Sequence, residues 1–237
     1  MSTIFSILVL AYVQDCSFCI YYSTTPAFLG LEAEINLPCD DALWNSQTSA
    51  EWYKLQRTPS RYGTGLSRML GVNMEFALAS LKDRDTPTLP YIVSPFSSFI
   101  LIHSILRDVV WNSTRTIRGP NPHTAAIQFS LHNWQKMWSA NPETIQDSHA
   151  IPFVSNAIHF YWLAKLAESA KQSGSIDMGP PPAPTNDIEN RYRLVKTWLT
   201  QISSYLRISG SHIPPNLWNN PTAIGLSTFS DIPSGSL

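Results

Sequence analysis

The chain has 237 residues, of which 43% are hydrophobic and 14% are charged, and its 16 basic and 17 acidic side chains leave a net charge of -1. Ordinary globular domains are roughly 25% charged, so an unusually neutral surface is expected, and a near-zero charge argues against a protein that wraps a polyanion. Three cysteines, an odd number, cannot form a disulfide framework and favour a reducing compartment.

The first predicted element is a long helix over residues 4–22, which contain neither Gly nor Pro and repeat apolar side chains at a helical period. The run 4–11 resembles the core of a secretory signal, but no basic residue precedes it and no small-residue cleavage site follows. It is also too short to span a bilayer. We therefore favour a buried helix and keep a secreted or membrane-anchored helical protein as an alternative.

Short helices are predicted next, after a loop that reaches Pro38. Asp40 can cap the first of them, and Thr48 and Glu51 have capping-box spacing at the start of the second. A further helical segment over residues 66–81 is interrupted near Gly71.

Three longer helices follow. Ser94 and Pro95 form a start signal for the first, which is expected to run to about residue 115. The second carries an apolar stripe over residues 127–138 and stops before Pro142, and the third spans about 152–174.

A Pro-rich segment divides the remainder of the chain. We assign residues 1–178 to a helical domain, 179–186 to a semi-rigid linker, 187–208 to a terminal helix and 209–237 to a loosely ordered tail. Because no segment alternates strictly between apolar and polar residues, the predicted fold class is all-α, an irregular multi-helix bundle.

No catalytic, cofactor-binding or metal-binding residues are predicted. Cys16 and Cys19 have the spacing of half a zinc site, but Cys39 is the only other thiol, so core packing is favoured. The six histidines are scattered singly, and the sequence has neither a Gly-x-Ser-x-Gly elbow nor a phosphate-binding loop. We therefore predict that the chain is not an enzyme.

Aromatic and imidazole side chains leave two interpretations open. The eight tryptophans suit anchors of a core and also dominate partner interfaces. A pocket between helices, lined by His103, Trp134 and His159, would suit a small-molecule effector, which makes a helical sensor domain the second functional hypothesis.

Several spaced motifs occur in one order between residues 8 and 172. They are Leu37-Pro38-Cys39, Leu43-Trp44, Ser49-Ala50-Glu51-Trp52, Ser94-Pro95-Phe96, Leu131-His132-Asn133-Trp134 and Pro152-Phe153. This order resembles the carboxy-terminal half of the middle homology region, the regulatory domain of fungal-specific transcription factors. Motifs repeated in one order are more specific than any single one.

The resemblance implies an all-helical, non-catalytic regulatory domain of a nuclear transcription factor, of the subgroup with two-Cys two-His zinc fingers. It also implies that Trp44 and Trp52 pin two short helices onto the long ones. Three cysteines cannot supply such a pair of fingers, so zinc and direct DNA binding are expected only in an upstream module. We expect a shortened form of such a factor, without nucleic-acid or membrane binding, whose partners are other proteins, either a second copy or full-length relatives.

Self-association is the first testable expectation. If the helices that precede residue 4 in the family are lacking, apolar surface on residues 4–22 remains uncovered, and such patches mark partner sites or aggregate. The sedimentation coefficient of the purified chain should therefore rise with concentration in velocity runs. A monodisperse monomer over the whole concentration range would contradict this prediction.

Overall fold

The protein was analysed as a computed structural model, which describes residues 3–38, 40–63, 65–84, 92–111, 122–145, 152–172 and 187–209. Within these ranges the chain is all-α, as predicted, with one very short β-ladder. The helices are α1 (Thr3–Tyr22), α2 (Asp41–Asn45), α3 (Ser49–Arg57), α4 (Gly65–Leu70), α5 (Met74–Lys82), α6 (Pro95–Trp111), α7 (Pro122–Ala140), α8 (Pro142–Ile145), α9 (Pro152–Gln172) and α10 (Asp187–Ser209).

The ladder pairs two strands that the sequence did not predict. Strands β1 (Asn36–Leu37) and β2 (Val72–Asn73) are antiparallel, with Asn36 opposite Asn73. Two residues are too few to produce a detectable alternation of apolar and polar side chains. The predicted break near Gly71 is confirmed, because Gly71 has a φ of 71° between α4 and β2, a conformation that glycine adopts readily.

The predicted starts of α2 and α3 are confirmed by their side-chain caps. The Asp40 carboxylate accepts a hydrogen bond from the Ala42 amide at 2.9 Å, and the Thr48 hydroxyl accepts one from the Glu51 amide at 3.1 Å. The Glu51 carboxylate in turn accepts from the Gln47 amide at 3.0 Å. These bonds satisfy amides that have no partner within a helix.

Helix α6 occupies the centre of the bundle. Its first turn is capped by Ser94, whose hydroxyl accepts a hydrogen bond from the Ser97 amide. Fourteen of its 17 residues are buried, because α1, α7 and α9 all pack against it. The expected continuation of this helix to residue 115 lies outside the described residues.

The outer helices close the core around α6. Helix α5 packs on α7, and α10 packs on both α1 and α9. A fully buried tryptophan comes from each of three helices: Trp134 on α7, Trp162 on α9 and Trp198 on α10. The Trp134 indole nitrogen donates to the Ser98 carbonyl oxygen at 2.9 Å, so its burial leaves no polar atom unpaired.

The expectation that Trp52 anchors α3 onto the long helices is wrong. Trp52 is only half-buried and makes an edge contact with the exposed Tyr53, at 5.3 Å between ring centroids. Helix α3 has no buried residue and packs mainly on α2 and α4. The side chain of Trp44 lies outside the described part of the chain.

A buried guanidinium holds these short helices together instead. The Arg68 Nε atom donates to the Asp40 carboxylate at 2.6 Å, which joins α4 to the cap of α2. Its Nη1 atom donates to the carbonyl oxygens of Leu55 and Thr58 at the end of α3. The Leu55 carbonyl also accepts a hydrogen bond from the Thr58 amide at 3.1 Å. One cation on α4 is thus bonded to the cap of α2 and to the end of α3, which joins three helices.

A second buried network fixes α1 against α6. The Arg107 guanidinium lies 2.7 Å from the Glu32 carboxylate and donates to the Tyr12 hydroxyl at 3.0 Å. The Tyr12 hydroxyl donates to Glu32 at 2.8 Å and lies 2.6 Å from the Ser104 hydroxyl, which can donate to it. We call these four residues, Tyr12, Glu32, Ser104 and Arg107, the Arg107 clamp.

The Arg107 clamp yields a stability prediction. Arg107→Met should lower the free energy of unfolding by about 3 kcal/mol, because removing one partner of a buried ion pair leaves the carboxylate poorly compensated. Urea unfolding followed by tryptophan fluorescence measures the change.

Arg193→Met is the matched control for this variant. Arg193 pairs with Glu189 on the exposed side of α10, and such pairs contribute about 0.5 kcal/mol or less. Equal losses for the two variants would show that the clamp does not stabilise the fold.

Candidate functional site

One face of α1 is uncovered along the length of the helix. Ile7, Leu10, Gln14, Phe18 and Tyr22 recur at steps of three and four and are all exposed. Ile7 is 59% exposed, Leu10 51% and Phe18 45%, which is high for such large apolar side chains. We call these five residues the outer face of α1.

The outer face carries no charge. Asp15 is the only charged residue of α1, and its side chain turns inward, where it accepts hydrogen bonds from the amides of Ala27 and Phe28 at 3.0 to 3.3 Å. These bonds hold the loop after α1 beside the helix. Phe28 and Leu29 in that loop are also exposed apolar side chains.

An apolar helix with such an exposed face is unusual in a globular domain. A helix that is apolar all round is normally enclosed by protein. Helix α1 contacts α6 through Tyr12 and α10 through Tyr22, but it leaves Ile7, Leu10 and Phe18 exposed. Large apolar patches exposed to solvent mark sites of interaction with other molecules. The outer face of α1 is therefore the candidate functional site.

The three side chains proposed for a ligand pocket lie elsewhere. His103 is buried between Phe99 and Phe160, at 4.2 and 4.0 Å between ring centroids. Trp134 is fully buried as well, and His159 is half-buried on α9. His103 and Trp134 thus fill the core and are closed to a ligand from solvent.

The two cysteines of α1 are also core side chains. Cys16 and Cys19 are free thiols on the buried side of the helix, and burial raises the pKa of Cys16 to about 12. A thiol that resists ionisation is a poor nucleophile and a poor metal ligand. Within the described residues, no three His, Cys, Asp or Glu side chains are grouped so that they could hold a metal ion. Cys39 lies outside those residues.

The sequence did not predict which charged side chains orient the outer face. Asp15 had a detectable signal, because a single charge within 20 otherwise uncharged residues requires a buried partner or a route to solvent. Arg107 and Glu32 had no such signal, since they are 75 residues apart and only the fold brings them together.

Two buried groups near α6 make stability depend on pH in opposite directions. Burial lowers the pKa of His103 to about 4, so the unfolded chain takes up a proton first as the pH falls below about 6.5. Burial raises the pKa of Asp41 to about 6, so the folded chain takes up that proton first. Acidification from pH 7 therefore removes stability through His103 and adds stability through Asp41.

The pH dependence of the His103→Leu variant should separate these effects. Between pH 7.5 and pH 5, wild type should lose about 2 kcal/mol more of its free energy of unfolding than the variant. Urea unfolding at the two pH values measures the difference. His132→Leu, which removes an exposed imidazole from α7, is the control for loss of a histidine. If the His103→Leu variant loses as much free energy of unfolding as wild type between these pH values, the imidazole takes up its proton in the folded core as readily as in the unfolded chain.

No helix in the described ranges combines the length and apolar character needed to cross a bilayer. No family model, no curated protein and no solved structure matches the chain.

Proposed function

We propose that the chain regulates transcription in the nucleus through contacts with other proteins and without catalysis. The observation that carries the proposal is the uncharged outer face of α1. The motif order and the all-helical fold support it, because both resemble the regulatory domain of fungal-specific transcription factors.

The outer face suits a second copy of the chain or a full-length relative that carries the same helix. Two such faces meet without repulsion, since neither bears a charge. An antiparallel pair with two-fold symmetry would set Ile7 and Leu10 of one copy beside Phe18 and Tyr22 of the other. Each large apolar side chain buried in this way contributes about 1.5–3 kcal/mol, against the entropy lost on association.

The polar side chains packed beside α1 are engaged within the fold. Arg107, Tyr12 and Glu32 are bonded to one another on the inner side of α1. Their hydrogen-bonding capacity is used within the fold. A surface without a reactive group can still restrain a partner by covering it.

A reporter assay tests this function with the full chain. The chain is fused to an unrelated DNA-binding domain, and transcription of a reporter with the matching binding site is compared with that from the DNA-binding domain alone. We expect a change of transcription of severalfold. Leu10→Glu should abolish the change, because it places a carboxylate at the centre of the apolar contact.

Leu70→Glu is the matched control. Leu70 is 50% exposed and Leu10 is 51% exposed, but Leu70 lies at the end of α4, away from the outer face. Reporter transcription that the wild-type fusion leaves unchanged, or that is equal for the Leu10→Glu and Leu70→Glu variants, would overturn the proposal. Recovery of the untagged chain outside the nucleus would contradict its cellular location.

A further inference from the structure

An open groove of about 420 Å³ lies between helices α1 and α10. Its α1 side is formed by Gln14, Ser17, Phe18, Tyr21 and Tyr22, and its α10 side by Tyr192, Lys196, Leu199, Thr200 and Ser203. The volume lies within the range of about 300–1,000 Å³ that is usual for small-molecule sites. The groove is separate from the aliphatic half of the outer face, Ile7 and Leu10.

Aromatic rings form one wall of the groove. Tyr22 and Tyr192 stack across the two helices, with centroids 5.7 Å apart and planes 2° from parallel. Tyr21 lies 6.1 Å from Tyr192, and Phe18 lies 5.9 Å from Tyr22. Such a wall favours a planar aromatic ligand, because offset stacking adds about 0.5–1.5 kcal/mol to the burial of each ring.

Among the residues that the structure describes, Lys196 is the only charged side chain that lines the groove. Its ammonium lies 5.9 Å from the centre of the Tyr192 ring, so the cation sits beside the aromatic wall. The neighbouring ion pair of α10 joins Arg193 to Glu189 and leaves Lys196 unpaired within the described residues. One cation without a lining carboxylate favours a ligand with a single negative charge.

The polar side chains of the groove complete the match to an oxygen-bearing head group. The hydroxyl hydrogens of Ser17 and Thr200 are donated to backbone carbonyls one turn back, at 2.9 Å each. Because those hydrogens are already used, Gln14 and Ser203 are the side chains that can donate to a ligand besides Lys196. A carboxylate needs only two or three donors, whereas a phosphate dianion calls for more positive charge than one lysine provides.

We propose that the groove between α1 and α10 binds a small aromatic carboxylate, with its ring on the tyrosine wall and its carboxylate at Lys196. The bound ring would bridge α1 and α10. The groove shares Phe18 and Tyr22 with the outer face of α1 but does not include Ile7 or Leu10, so ligand binding and the reporter response are measured separately.

Calorimetric titration of the full chain with 2-naphthoate tests the proposal, with 2-naphthylmethanol as the uncharged analogue. We expect naphthoate to bind about tenfold more tightly than the alcohol, because a charge-assisted contact at a partly enclosed site contributes about 1.5 kcal/mol. Lys196→Gln should abolish this preference and leave the Kd of the alcohol unchanged. The comparison of two ligands on wild type needs no variant to fold.

Lys136→Gln, which removes an exposed lysine from α7, is the control and should bind naphthoate like wild type. Absence of naphthoate binding, equal Kd values for acid and alcohol, or an equal loss in both lysine variants would overturn the proposal. Far-ultraviolet circular dichroism verifies that each variant is folded, and a folded Lys196→Gln variant with wild-type preference would also overturn it.

Discussion

The rotation of α1 about its own axis is the constraint on which the rest of the structure depends. The helix is apolar on every side, so the hydrophobic effect alone does not select the side that packs on α6. The hydrogen bonds of Tyr12 and Asp15 determine which side of α1 faces the core. Tyr12 reaches Arg107 and Glu32, and Asp15 reaches the amides of the following loop. Any other rotation would separate the Tyr12 hydroxyl from Arg107 and Glu32, and would separate the Asp15 carboxylate from its amide partners. Burying a carboxylate without partners would cost several kcal/mol.

This selection has a direct consequence for function. With Tyr12 and Cys16 turned toward the core, Ile7, Leu10 and Phe18 are necessarily turned outward. The fold is therefore stabilised through buried polar bonds while an aliphatic surface stays exposed, and we propose that this surface makes the contact. The same rotation places Phe18 and Tyr22 beside α10, so the aromatic end of the surface becomes one wall of the groove.

Two of the buried arginines, Arg68 and Arg107, show how a guanidinium can join irregular helices. Arg68 donates hydrogen bonds to an N-cap carboxylate and to carbonyl oxygens at the end of α3. Arg107 pairs with a carboxylate and donates to a phenol oxygen. Short helices such as α2 and α3 bury too little apolar area to dock by packing alone. A planar cation with five donors satisfies several of their unpaired oxygens at once and sets their relative positions.

The sequence by itself determined the helices, since capping residues, Pro positions and apolar periods are local signals. Asp40, Thr48 and Ser94 cap the helices that they were expected to cap, and Gly71 breaks the chain where predicted. Only the tertiary structure decided how the helices join, because a buried ion pair such as Arg107 with Glu32 depends on residues far apart in the chain. It also decided that Ile7, Leu10 and Phe18 meet solvent, since large apolar side chains outside the predicted stripe give no sign in the sequence that they stay uncovered.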